Sequence, residues 1–197
     1  MARTAVKARR LTIASGARHA LCPDRPRSWT SKDATAAAQD FFTRPRRSAA
    51  RELLRELCSD DPFDHRCAAE LARLVSRRQQ DVLAAYSDLL AEVAATLPME
   101  EWQARGYVLV AAAMNAVTHA QRMRMLPLVR ARLSEDRIAV RAMALEAFAY
   151  LAAREPGLRD EALEKLEAAR HSSEPALRAR ARLMLPVVMK SELTLPR

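Results

Sequence analysis

The chain's 197 residues are half apolar, carry only 5% aromatic residues and three glycines, and sum to a formal charge of +9. The apolar half is mainly Ala, Leu, Val and Met, which with Arg and Glu are strong helix formers because they lose little side-chain freedom in a helix. A β-rich domain would need more β-branched and aromatic residues and more glycine at its turns, so the composition predicts an all-α fold.

The charge is unevenly placed. Residues 1–47 hold eleven basic and three acidic side chains, whereas the remaining 150 hold 22 basic and 21 acidic, so the basicity belongs to the N-terminal arm and the body is near neutral. A membrane span needs about 20 consecutive apolar residues. The longest uncharged run, 106–118, falls short of that and reads as a buried helix. Cys22, Cys58 and Cys67 are odd in number and form no C-x-x-C pair. They are expected to be free, small, buried residues in a reducing, intracellular and most simply cytoplasmic setting.

Residues 1–30 lack helical periodicity and mix Arg, Ala, Ser, Thr and Pro. Three readings stay open for this arm: a disordered partner-binding segment, an organelle-targeting peptide, or a leader incidental to the domain. From Ser31 onward, helix punctuation takes over. Ser31-Lys32-Asp33 predicts the cap of a short helix reaching about Thr43, ended by Pro45. Four helix pairs follow, over about 46–78, 80–118, 121–154 and 157–190, within a domain spanning 31–197. Asp61 followed by Pro62 marks one helix start; Pro98, Ser134-Glu135-Asp136, Pro156-Gly157 and Ser172-Ser173-Glu174-Pro175 punctuate the rest. The third helix is expected to run unbroken from about 80 to 96.

The second helices of these pairs share a pattern. Each has an arginine near its start, Arg66, Arg105, Arg141 and Arg178, separated by 39, 36 and 37 residues, a sustained period that marks a repeat array. A small residue follows each one (Cys67, Gly106, Ala142, Ala179), and five residues earlier stands an acid or hydroxyl (Asp61, Glu100, Asp136, Ser173). The acid suits a helix N-terminus, the small residue permits close helix approach, and the arginine is expected to bond the acid of an adjacent repeat, forming a ladder. Burial points the same way. Tyr107 to Val117 and Ile138 to Leu151 are apolar on nearly every side apart from Arg141 and Glu146, as helices packed between neighbours should be.

This pattern resembles the HEAT repeat family, most clearly over Leu126-Pro127 through Leu151, where Pro127, Asp136, Val140 and Arg141 fall at the family's positions. The other pairs depart from it: His65 stands at an apolar position, Ala104 precedes Arg105, and Glu174 lies near the Asp position. The resemblance covers about residues 46–190. It implies a right-handed α-solenoid of about four antiparallel helix pairs that offers a binding surface.

Chemistry-bearing motifs are thin. There is no glycine-rich phosphate loop, no G-x-S-x-G and no H-E-x-x-H, and His19, His65, His119 and His171 are far apart in sequence. No catalytic residue, cofactor or metal ligand is therefore expected. The expected function is a non-catalytic scaffold holding a protein partner. The alternative is nucleic-acid binding through Arg9 and Arg10 of the arm together with the i, i+4 arginines Arg73/Arg77, Arg137/Arg141 and Arg178/Arg182, aligned as a basic stripe that tracks phosphates. A relative of the HEAT-like DNA glycosylases is a third reading, although no catalytic Asp with flanking aromatics maps onto this chain. The sequence leaves the oligomeric state open.

Overall fold

The computed structural model describes residues 29–190; the expectations for residues 1–28, including Arg9, Arg10, His19 and Cys22, lie outside them. The described residues form an all-α structure with no strand. Helix α1 spans Ser31–Thr43, α2 Arg46–Leu57, α3 Pro62–Arg78, α4 Ser87–Thr96, α5 Trp102–Asn115, α6 His119–Leu133, α7 Ile138–Ala152, α8 Arg159–Arg170 and α9 Pro175–Lys190.

Local chemistry sets these limits. Thr30, one residue earlier than expected, caps α1 through a reciprocal box: its hydroxyl accepts from the Asp33 N–H, and the Asp33 carboxylate accepts from the Thr30 N–H at 2.7 Å. The Thr30 hydroxyl also donates to the Asp33 carboxylate at 2.7 Å, and that bond first, then the one from the Thr30 N–H, holds the Asp33 carboxyl below its ordinary range. Asp61 caps α3 by accepting from the Phe63 N–H at 2.8 Å, with Pro62 at the first helical position, where no N–H is needed. Thr118 and Gln121 form a second capping box at α6. Pro127 and Pro186 lie inside α6 and α9 without ending them.

The third predicted helix is a departure. Residues 79–86 form turns and a single 3-10 turn, Ala84–Tyr86, and α4 begins only at Ser87. Asp81 adopts φ 69°, in the left-handed region that breaks helical propagation. Asn115, fully buried at the end of α5, holds this bend. Its Oδ1 accepts from the Leu83 N–H, and its Nδ2 donates to Ser76 Oγ and to the Ala111 carbonyl, each at 2.8 Å. The turn's buried N–H is thus satisfied by a side chain two elements away, so the chain is free to leave the helix there.

The helices pair in chain order, α2 with α3, α4 with α5, α6 with α7 and α8 with α9. The second member of each pair also packs on the next one, giving a row α3–α5–α7–α9, and α1 packs on α3 at the start of the row. Helices α5 and α7 each touch four neighbouring helices. That explains why they are apolar nearly all round: Val108 to Asn115 and Met143 to Ala149 are buried without a break. Small residues permit the close approach. A Cβ added to Gly106 of α5 would come within 2.4 Å of the Met143 sulfur on α7.

Polar ties recur at nearly the sequence period. Arg124 on α6 meets Asp88 on α4 at 2.9 Å. His65 Nδ1 lies 2.7 Å from Glu101. His119 Nδ1 lies 2.9 Å from Glu155, which also accepts from Arg122 Nε at 3.1 Å. The Arg124–Asp88, His65–Glu101 and His119–Glu155 pairs each bridge 36 residues.

Asn115→Ala leaves the Leu83 N–H buried without a partner, while the Ser76 hydroxyl keeps its bond to the Ala72 carbonyl, and is expected to lower unfolding free energy by about 1–3 kcal/mol in urea titrations. Glu155 supplies a pH test. The hydrogen bond from His119, then that from Arg122, holds its carboxyl below the ordinary value of 4.5. Its contribution is complete above that unfolded value and lost as pH falls through the lower folded one. The Tm gap between wild type and Glu155→Gln should therefore shrink from about pH 6 to about pH 3.

Candidate binding face of the second-helix row

Helix α7 carries one acid in its buried stretch, Glu146, and that side chain is 0% exposed. An isolated carboxylate there would be prohibitive, so cations must reach it. Two do. Arg77 of α3 donates to Oε1 through Nε at 3.0 Å and also through Nη2. Arg180 of α9 places Nη1 2.5 Å from Oε2, in ion-pair contact but off the hydrogen-bonding line. The carboxylate thereby connects three helices of the row.

A third arginine stands beside this group. Arg73, one turn before Arg77 on α3, lies over the Tyr107 ring of α5 at 4.6 Å from its centroid, a cation–π contact. Its Nε is buried with no hydrogen-bond partner. Burial first, then the charge of Arg77, pulls its guanidinium below the usual range. Glu70, a turn earlier on the same helix, is occupied by Trp29, whose indole Nε1–H donates to its Oε2 at 3.0 Å. Tyr150, one turn after Glu146, completes the face; burial and then the adjacent carboxylate push its phenol up. The cluster therefore combines three guanidinium groups and two phenol rings around one buried carboxylate, half-exposed on a face shared by α3, α5 and α7 with α9.

The arginines of the repeat do something other than form the expected ladder. Cα–Cβ bonds tilt toward a helix N-terminus, so an arginine in the first turns reaches back to the connection before its own helix. Arg178 donates to the Ser172 and Ser173 carbonyls at 2.9 and 2.6 Å. Arg105, 8% exposed, contacts the Met99 sulfur. Arg66 is an exception, donating to the Trp29 carbonyl ahead of α1 at 3.4 Å. Arg141 is half-buried, with an Nε that lacks a partner. Asp61 is used in its own cap. Glu100 and Asp136 instead line a cleft of about 360 Å³ with Trp102, Arg105 and Arg137. Arg137 stacks over the Trp102 ring there, at 4.9 Å.

The expected basic stripe is likewise divided. Arg73 and Arg77 belong to the Glu146 face, Arg137 to the Trp102 cleft, and Arg182 is exposed on α9. The reason is angular: at 3.6 residues per turn, Arg180 points about 200° away from both Arg178 and Arg182, and it is Arg180 that faces Glu146. Sequence reasoning did not single out Arg180 or Tyr150. The available signal was Glu146 itself, an acid inside an otherwise apolar helix.

Of the cysteines, Cys67 is buried but Cys58 is exposed, against expectation, because it falls just past the end of α2. His65 is 8% exposed with both ring nitrogens engaged, Nε2 lying 2.6 Å from the Ser59 carbonyl. Among the described residues no group of three or more His, Cys, Asp or Glu is placed to hold a metal ion, and no helix is long and apolar enough to cross a membrane.

Glu146→Ala strands the two cations that converge on it. Breaking a fully buried pair costs about 3–5 kcal/mol; Arg77 and Arg180 keep side-chain exposures of 33% and 21%, so a loss of about 2–3 kcal/mol is expected by calorimetry, with Glu146→Gln intermediate. No family model, curated protein or solved structure matches the chain.

Proposed function

We propose that this chain is a HEAT-like helical-repeat protein, a right-handed α-solenoid of four helix pairs, that acts without catalysis by holding a protein partner on the face of its second helices. The observation that carries the reading is the Arg73–Arg77–Tyr107–Glu146–Tyr150–Arg180 cluster. Residues from four helices of one row converge there, and the cluster leaves aromatic and guanidinium groups open to solvent. Tyrosine and arginine are the side chains that most often anchor protein interfaces, because they bring large area with few rotatable bonds or a rigid donor fork. The succession of second helices, each packed on the next, supports the repeat reading.

The basic segment within residues 1–47 supports nucleic-acid binding as the competing reading. Against it, the 150 residues that follow are balanced in charge, and the face places Glu146 among its arginines. A phosphate track needs cations in succession without such interruption.

A photo-crosslinking amino acid placed at Tyr107 in cells should capture a discrete protein band that the same group at exposed Arg170 of α8 does not. Equal capture at both positions, or capture of nucleic acid in place of protein, would overturn the reading.

A further inference from the structure

The two oxygens of Glu146 are both taken, Oε1 by Arg77 and Oε2 by Arg180. The face therefore holds three guanidinium groups against one available carboxylate, and Arg73 is the one left over. The other nearby acid, Glu70, is bound by the Trp29 indole and makes no ion pair with Arg73. Arg73 is nonetheless substantially desolvated. It lies on the Tyr107 ring with its Nε buried and unpartnered, and burial disfavours its charge. Glu146 and Glu70 offset that burial only through space, without a hydrogen bond to Arg73, and an incoming anion that bonds the guanidinium relieves the cost that is left.

We propose that Arg73, backed by the Tyr107 ring and flanked by Arg77, is a receptor for a carboxylate side chain from an acidic segment of a partner protein. The inference rests on the protein-binding reading above and names the chemistry of its contact point.

Three observations favour a carboxylate over a nucleic-acid phosphate. The face already accommodates one carboxylate, Glu146, against the arginine fork of the same helix. The positions bordering Arg73 are Arg77, Tyr107, Glu70 and Glu146; Arg77 is already bound to Glu146, so a polyanion's next charge would meet an engaged cation, a phenol or a like charge. Finally, Arg182 and Arg137, which could have continued a cationic track, face elsewhere. A cation with an aromatic backing, whose neighbouring cation is already paired, suits a single planar anion, because the guanidinium offers it two parallel N–H donors.

Fluorescence anisotropy with a labelled hexaglutamate peptide, on the full chain at about 0.15 M salt, tests this. The basic arm also attracts such a probe, so each measurement is repeated in an Arg9→Ser, Arg10→Ser background. In both backgrounds Arg73→Gln should weaken binding about tenfold, the size of one charge-assisted hydrogen-bonded contact. Arg73 stands outside the Arg77–Glu146–Arg180 contacts, so the substitution should leave Tm nearly unchanged. If Tm falls, Arg73→Lys serves instead; it keeps the charge and the stem but loses the planar fork, and a threefold or greater loss of affinity is then the supporting result, about 0.7 kcal/mol. Unchanged hexaglutamate affinity in these variants overturns the proposal, as does an oligodeoxythymidine of equal charge that binds more tightly than hexaglutamate in an Arg73-dependent way. Loss of Arg73 dependence with Tyr107 crosslinking retained removes the carboxylate site alone; loss of both removes the protein-binding reading as well.

Discussion

Burying a carboxylate in the middle of an apolar helix obliges the rest of the molecule to bring it counter-charges, and the arrangement of α3, α7 and α9 is consistent with that obligation. Arg77 reaches Glu146 across 69 residues of sequence, passing the row position of α5. Because α5 packs on both α3 and α7, the apolar packing of the row and the ionic contact across it constrain one another. Such an ion pair adds little net stability over a well-packed apolar substitute, but it penalises any arrangement in which one partner is missing. It therefore specifies which helices must be neighbours more than it strengthens their contact.

Much of the architecture is legible in the sequence where local chemistry sets the outcome. Asp61-Pro62 starts α3 as its residue types require, and the proline and serine clusters mark the remaining connections to within a few residues. The apolar stretch of α7, interrupted by Arg141 and Glu146, signals a helix with neighbours on most sides, and it has four. The failures fall where a distant side chain decides. Nothing local in residues 79–86 forbids helix; Asn115 draws the Leu83 N–H out of it from more than thirty residues away. The repeat arginines mislead for a related reason. Their spacing shows that the helices recur, but the direction in which an arginine extends depends on the tilt of its Cβ and on the carbonyls left open before its own helix.

The candidate face was half legible. Arg73 and Arg77 stand out as an i, i+4 basic pair, and they are indeed together. Their companions come from α5, α7 and α9, and only three-dimensional packing selects Arg180 from a helix that also displays Arg178 and Arg182. Charge counting could not separate them because all three sit within five residues, and the face each one occupies depends on the roll of α9 about its axis.

In an ideal row of stacked units, each contributes its own stability and one interface term, so the array unfolds like a zipper from its ends. Here several contacts skip a neighbour. Arg77 and Glu146 connect α3 to α7, and Arg154 after α7 reaches Asp81 before α4, 73 residues away, at 2.6 Å. Such second-neighbour couplings mean that peeling away α9 exposes a charge whose other partner belongs to α3. Fraying at one end is thereby felt near the other, and the row behaves less as a sum of separable links than as a single cooperative unit.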